Sequence, residues 1–242
     1  MRPPQTSGPI VAIDGPAGTG KSSAAKRLAE ALQFIHVDTG AIYRAVGLLV
    51  LEAGEKAGTA AFSKRAGDVA CSAKFEFRRD PAANPKMRIL VSGRDVSESI
   101  RTPAVSMAAS QVSAVPEVRA ALLGLQRQLG GHGRSILEGR DIGTVVFPHA
   151  DVKFFLTATP EERAKRRLAE LEIAGSDSPS FEEVKQQILA RDHADSTRAI
   201  APLRRAPDAI EVDTSTLTLD EVVSRMEGIV RRKTEEWKPH PS

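Results

Sequence analysis

Residues 15–22 read Gly15-Pro16-Ala17-Gly18-Thr19-Gly20-Lys21-Ser22 and fit the pattern G-x-x-x-x-G-K-[ST]. An apolar run at residues 10–13 precedes them, and a helical pattern at 23–32 follows. That order of strand, glycine loop and helix commits the chain to an α/β core. The glycines let the backbone bend so that successive N–H groups face phosphate oxygens, and the positive end of the next helix adds to that field. Lys21 then reaches β- and γ-phosphates, and the Ser22 hydroxyl ligates Mg²⁺. The bland alternative is a glycine-rich turn that happens to hold a lysine; four fixed positions and both flanks weigh against it.

Short apolar runs recur at 10–13, 34–37, 135–137, 152–156 and 209–212, each followed by a turn and a helical pattern. The alternation predicts a five-stranded parallel sheet flanked by helices. Ligands of such sheets sit beyond the carboxyl ends of the strands, where residues 15–22, 38–40 and 138–141 fall. Capping boxes are expected at Thr159/Glu162, Ser180/Glu183 and Thr218/Glu221. After Thr218, apolar residues 219, 222, 223, 226, 229 and 230 predict a helix that closes the core. Phe75-Glu76-Phe77 and residues 87–91 read as short antiparallel strands inside an inserted subdomain at about 62–102. Residues 175–179 form a loop between two charged helices and suit a lid spanning about 159–199. The remainder, about 9–61, 103–158 and 200–232, is the core of a single domain, with frayed ends at 1–8 and 233–242.

The chain has 242 residues, a formal net charge of +3 and 4% aromatic residues. The charge suits an anionic substrate and is too mild for a nucleic-acid polymer. So few aromatics argue against a base-stacking platform. Cys71 is the single cysteine, so no intrachain disulfide forms and a reducing compartment is expected; it reads as a small buried hydrophobe. Residues 1–8 lack the apolar core of a signal peptide, and the longest apolar run, 45–51, is too short to span a bilayer. The expectation is a cytoplasmic protein with no membrane association. No coiled-coil pattern or apolar stripe asks for a partner, so it is expected to be a monomer.

Three further clusters carry charge. In Asp38-Thr39-Gly40-Ala41-Ile42-Tyr43-Arg44, Thr39 can cap a helix and Arg44 lies within a turn of it, a seat for a second phosphate; an ordinary cap beside a solvated arginine reads the same. In residues 138–143 a buried strand runs into Glu138-Gly139-Arg140-Asp141, which aims Arg140 and Asp141 at a ligand or merely makes a surface turn with a local ion pair. Arg191, Asp195 and Arg198 are spaced i, i+4, i+7. If the helix continues they share one face, and the carboxylate holds two guanidiniums against a transferring phosphoryl group; a solvated ion-pair ladder is the equal alternative. His193 falls elsewhere and receives no role. Ser110, Gln111 and Arg119 lie on a pattern from 102 to 129, where Pro116 kinks or restarts the helix. A phosphate loop alone leaves open kinases of several acceptors and a nucleotide-switch ATPase.

Together, residues 38–44, Ile100-Arg101-Thr102, 108–112, 138–148 and Arg191-Asp192…Asp195…Arg198…Ala201-Pro202-Leu203 resemble the bacterial cytidylate kinases, members of the P-loop nucleoside monophosphate kinase superfamily. The resemblance runs from about residue 9 to about 230. It implies phosphoryl transfer from ATP to CMP or dCMP with Mg²⁺. It places ATP on Gly15, Pro16, Ala17, Gly18, Thr19, Gly20, Lys21, Ser22 and Ser23. It places Thr39, Tyr43, Arg44, Ser110, Arg119, Arg140, Asp141, Arg191, Asp195 and Arg198 on the CMP side or the phosphoryl path. Within that set it implies that Asp141 and Ser110 read cytosine and Asp195 the sugar. Arg44, Arg140 and Arg191 grip the acceptor phosphate, and Lys21, Arg140, Arg191 and Arg198 are the catalytic cations. The chain departs from the family pattern at Glu138, where aspartate is common, and at Ala194, where a further arginine is common. Ser22 stands where glycine is common, so the Mg²⁺ ligand falls to Ser22 or Ser23.

Overall fold

The computed structural model describes residues 8–79, 87–173 and 179–235. In chain order the elements are β1 (Ile10–Asp14), α1 (Lys21–Leu32), β2 (Ile35–Asp38), α2 (Thr39–Glu52), α3 (Ala60–Ser72), β3 (Phe75–Arg79), β4 (Met87–Val91), β5 (Arg94–Asp95) and α4 (Pro103–Val112). There follow α5 (Pro116–Gly130), β6 (Ser135–Glu138), β7 (Val152–Thr157), α6 (Pro160–Ile173), α7 (Phe181–Thr197), β8 (Ile210–Asp213) and α8 (Leu219–Glu235). A π-type turn, Ile142–Val146, lies between β6 and β7. The chain divides into two compact units, residues 1–37 with 127–242, and residues 38–126.

The first unit is built on a sheet of order β2-β6-β1-β7-β8. β1 is buried along its whole length and runs parallel to β6 and β7, while β8 runs parallel to β7. Ile13 pairs with Glu138, Asp14 with Phe155, and Thr157 with Asp213. The carboxyl ends of four strands therefore share one edge, and the loops that follow them rise from it. The sheet packs through Val11, Ile13, Ile136, Phe154 and Leu156 against Ala25 and Leu28 of α1 and Val222, Met226 and Val230 of α8. Fifteen buried residues form this cluster; at about 1.5–3 kcal/mol for each large side chain removed from water, it dominates the stability of the unit. α6 and α7 pack on each other through Ala164, Leu171, Val184 and Ile188.

The second unit holds a three-stranded sheet of order β3-β4-β5. The hairpin expected from 75–77 and 87–91 is present, with Phe75 opposite Val91 and Phe77 opposite Ile89. Its apolar face meets Ala41, Ala45 and Leu48 of α2, with Ile100 and Val105. Gly47 allows α2 to lie close to α4: a Cβ there would fall 3.1 Å from both the Ala108 Cβ and the Ala109 nitrogen.

Several local expectations need correction. Asp38, not Thr39, caps α2, its carboxylate accepting the Ala41 N–H at 3.1 Å; Thr39 is already the first helical residue. Of the two alternatives at Pro116 the helical pattern restarts, giving α4 and α5. The boxes at Ser180/Glu183 and Thr218/Glu221 form. At Thr159 the side chain accepts the Glu162 N–H, while its own N–H donates to Ser215 Oγ. Cys71 is exposed: α3 buries Phe62, Ala66 and Ala70, and the next residue turns about 100° off that stripe. The loop expected at 175–179 lies outside the described residues except for Pro179, as do residues 1–7 and 236–242 of the expected frayed ends.

Candidate active site

In the first unit the glycine loop is fixed by neighbours on three sides. A Cβ at Gly15, whose φ is +145°, would fall 2.1 Å from the Leu156 carbonyl oxygen, so the loop leaves β1 pressed against β7. Gly20 takes the left-handed conformation that starts α1. Thr214, after β8, donates its hydroxyl to Thr19 O at 3.1 Å or Thr157 O at 3.0 Å, and it receives Arg166 Nη1 at 3.0 Å. Arg163 of α6 donates to Ala17 O at 3.1 Å and to Asp192 Oδ2 of α7 at 2.5 Å. Lys21 lies within this frame, its ammonium donating to Pro16 O at 2.5 Å and Thr19 Oγ1 at 3.3 Å.

The electrostatics around Lys21 are lopsided. It is 5% exposed. Burial pushes its pKa well below the usual lysine value, and the neighbouring Arg140 and Arg191 push the same way, against Glu138 and Asp14. A buried lysine with guanidiniums beside it offers fixed positive charge of the kind that suits a polyphosphate.

Arg140, Asp141, Arg191, Asp195 and Arg198 do come together, in an arrangement that differs from the expected one. α7 ends at Thr197, so Arg198 is its extended C-terminal neighbour and not a helical residue. The buried Asp195 carboxylate takes Arg140 Nε at 3.0 Å and Arg191 Nε at 4.0 Å, while Arg198 faces Asp141 at 3.5 Å. Asp195 thus holds two guanidiniums, one of them from the turn after β6. Burial raises its pKa, yet Arg140 and Arg191 outweigh that and hold it below the usual carboxylate value.

Ser22 and Ser23 are both exposed. The Ser22 hydroxyl donates to Glu138 Oε2 at 2.6 Å, and Glu138 Oε1 meets His36 Nε2 at 3.0 Å. A hydroxyl whose proton is given to a carboxylate keeps its lone pairs for a cation. The described residues contain no group of three or more His, Cys, Asp or Glu able to hold a metal ion. A small hard cation that takes one hydroxyl, phosphate oxygens and water fits such a donor set.

In the second unit, Arg119 is buried with its guanidinium over the Tyr43 ring, 5.7 Å from the centroid. Its Nη1 donates to Ser113 O at 3.3 Å, and the Tyr43 hydroxyl accepts Gln126 Nε2 at 3.2 Å. The Ser110 carbonyl accepts the Ser113 hydroxyl at 2.7 Å. Arg44 folds back on Asp38 at 2.7 Å, and Thr39 is buried beneath the start of α2. These residues form a helix cap, a cation stacked on a ring and an arginine held by the aspartate that caps its own helix.

Sequence reasoning missed Asp14, His36, Arg163, Arg166 and Thr214. Asp14 had a local signal, a carboxylate closing a buried apolar strand directly before the loop. Arg163 and Arg166 lie on α6 among other charges, and nothing local separates them from solvated residues. Thr214 had only its place after a strand.

Comparison with known proteins places the chain in one group. The family description Cytidylate kinase matches residues 11–232. The cytidylate kinase of Syntrophotalea carbinolica is 46% identical over 231 residues, covering 95% of each chain. That of Geobacter sulfurreducens is 48% identical over 227 residues, covering 93% of this chain and 94% of the relative. A bifunctional pantoate ligase/cytidylate kinase of Synechococcus sp. (strain CC9311) is 44% identical over 237 residues, the match taking up 98% of this chain and 47% of that protein. With a glycine loop, its buried lysine and the arginine–aspartate cluster on one sheet edge, this chain belongs to the cytidylate kinase family.

Proposed function

We propose that this protein is an ATP-dependent kinase of CMP and dCMP, giving ADP and CDP or dCDP. The observation that carries the reading is geometric: Lys21 is buried within the glycine loop, its ammonium donating to Pro16 O and Thr19 Oγ1, with Arg140 and Arg191 among the charges that act on it. Family membership supplies the acceptor. ATP lies along Gly15, Pro16, Ala17, Gly18, Thr19, Gly20, Lys21, Ser22 and Ser23. Thr39, Tyr43, Arg44, Ser110, Arg119, Arg140, Asp141, Arg191, Asp195 and Arg198 serve the acceptor and the phosphoryl path. A phosphate oxygen of the acceptor attacks the γ-phosphorus in line while the β–γ bridging bond breaks. That oxygen is already anionic, so no strong base is required. Lys21, Arg140, Arg191 and Arg198 neutralise the charge spread over the transferring group.

The Ser22 hydroxyl, which Glu138 orients, would hold Mg²⁺, and the ion would supply positive charge to the polyphosphate. Closure of a lid at about 159–199 excludes water and limits wasteful hydrolysis. Residues 62–102 serve as the inserted acceptor-side subdomain of a single catalytic domain. Among the described residues no helix is long and apolar enough to cross a membrane, and we read the enzyme as a cytoplasmic monomer with no nucleic-acid partner.

The test is ADP release in a coupled assay over CMP, dCMP, UMP and AMP. CMP and dCMP should lead the series. Equal rates with all four, or ATP loss that ignores the acceptor, would overturn the reading.

A further inference from the structure

Between β6 and β7 the backbone makes a π-type turn, Ile142–Val146, directly after Arg140 and Asp141. Such turns are rare and occur frequently at functional sites. Here the surroundings act at both ends. Asp14, the last residue of β1, accepts the Ile142 N–H with Oδ1 at 2.8 Å and the Gly143 N–H with Oδ2 at 2.7 Å. Arg127 donates Nε to Val146 O at 3.0 Å and Nη2 to Val145 O at 3.1 Å. The N–H groups that open a helical turn have no partner inside it, and Asp14 supplies one for each of two. The fit is close: a Cβ at Gly143 would lie 3.4 Å from Asp14 Oδ2 and 3.1 Å from Lys153 Cδ.

Asp14 is 4% exposed. A buried carboxylate is costly and is kept where it does work. Arg140 and Asp141 lie immediately before the two amides it holds, and Gly15 lies immediately after it in the chain. One side chain therefore fixes the phosphate loop and the arginine–aspartate turn to the same point at the end of β1.

We propose that Asp14 is a positioning residue for the transfer reaction: by clamping the amides of Ile142 and Gly143 it sets Arg140 and Asp141 in register with the phosphate loop. The kinetic side of this rests on the kinase reading above; the clamp itself does not. Asp14→Asn is nearly isosteric but brings an NH₂ against one of the two N–H groups, so it opens the turn and leaves the glycine loop intact. Displacement of catalytic groups by about 1 Å costs on the order of 10²-fold in rate.

The experiment uses the full chain and two readouts, amide hydrogen exchange over residues 139–147 and steady-state kinetics with ATP and CMP. Asp14→Asn should speed exchange at Ile142 and Gly143 and lower kcat by about 10–10²-fold, with KM for ATP little changed. A merely structural role would instead lower the melting temperature and shift both KM values together. Unchanged exchange, or faster exchange with kcat and KM for CMP at wild-type values, would overturn the proposal. Should Asp14→Asn not fold, Arg127→Met loosens the other end of the turn: faster exchange over 145–147 with a fall in kcat supports the mechanism, and faster exchange with normal kcat ends it. Failure of the kinase reading appears separately, as wild-type enzyme that does not use CMP, and the exchange data then decide the clamp alone.

Discussion

At Lys21, burial and the neighbouring Arg140 and Arg191 disfavour the ammonium charge, against Glu138 and Asp14, and on the proposed function a polyphosphate would favour it. Lys21→Ala should lower kcat by about 10²–10³-fold while the melting temperature stays near wild type, as kinetics and thermal melts on one preparation would show. The arginines separate by burial. Arg191 is 26% exposed, whereas Arg198 and Asp141 are each nearly buried. Arg191→Ala should therefore lose turnover with little loss of stability, and a variant that melts early yet turns over normally would make the cluster a structural ladder. Arg198→Ala should lose both, since removing one partner of a buried pair costs about 3–5 kcal/mol. Asp14 carries a pH signature. Burial pushes its pKa up from 3.8, past the opposing pull of the Gly143 and Ile142 amides, to about 6. Between those values the folded state binds more protons than the unfolded, so its contribution is fully present below pH 3.8 and declines as pH rises through 6, by about 2 kcal/mol between pH 4 and 6. Denaturant titrations at pH 4 and 6 should show that decline in wild type and not in Asp14→Asn. The residues of the cluster could be named from spacing alone; the partner of Asp195 could not, because Arg140 reaches it from 55 positions away in the chain.

At the scale of elements, local chemistry was the most legible. The five strands follow from apolar runs between turn signals, and the Ser180 and Thr218 caps from a hydroxyl and a glutamate three residues apart. Ser180→Ala should cost α7 about 1 kcal/mol, read as a lowered melting temperature with unchanged KM for ATP. Thr159 formed half of its box because Ser215 lies within reach of its N–H, a contact across sheet loops that no local pattern records. The end of α7 at Thr197 was hidden for a similar reason: Leu203 donates its N–H to Asp195 O and Arg198 its Nε to Ala201 O, which turns the chain away from the helix axis. The glycine loop is the least tolerant element. Gly15→Ala must relieve a 2.1 Å approach to Leu156 O at a positive φ, so a loss of about 3 kcal/mol or more is expected in chemical denaturation.

Across the whole molecule, each of the two units has its own core, one on the five-stranded sheet and one on α2 with the small sheet. The glycine loop and the arginine cluster belong to the first unit, and Tyr43, Arg44 and Arg119 to the second. ATP at about 100 times its Kd should stabilise the protein by about 2.7 kcal/mol. In amide exchange it should protect residues 15–23, whereas CMP should protect 39–44 and the neighbourhood of Ser110 and Arg119. Protection by CMP confined to residues 15–23 would contradict the assignment of the second unit to the acceptor.

Arg163 gives this layout a mechanical side. A single guanidinium grips the carbonyl of Ala17 and the carboxylate of Asp192, one residue beyond Arg191. The glycine loop and the helix that carries Arg191 are thus yoked, and α7 can swing only by letting go of one grip or dragging the loop along. The reach of Arg191 is measured from the loop itself, so a tilt of the helix registers at Ala17.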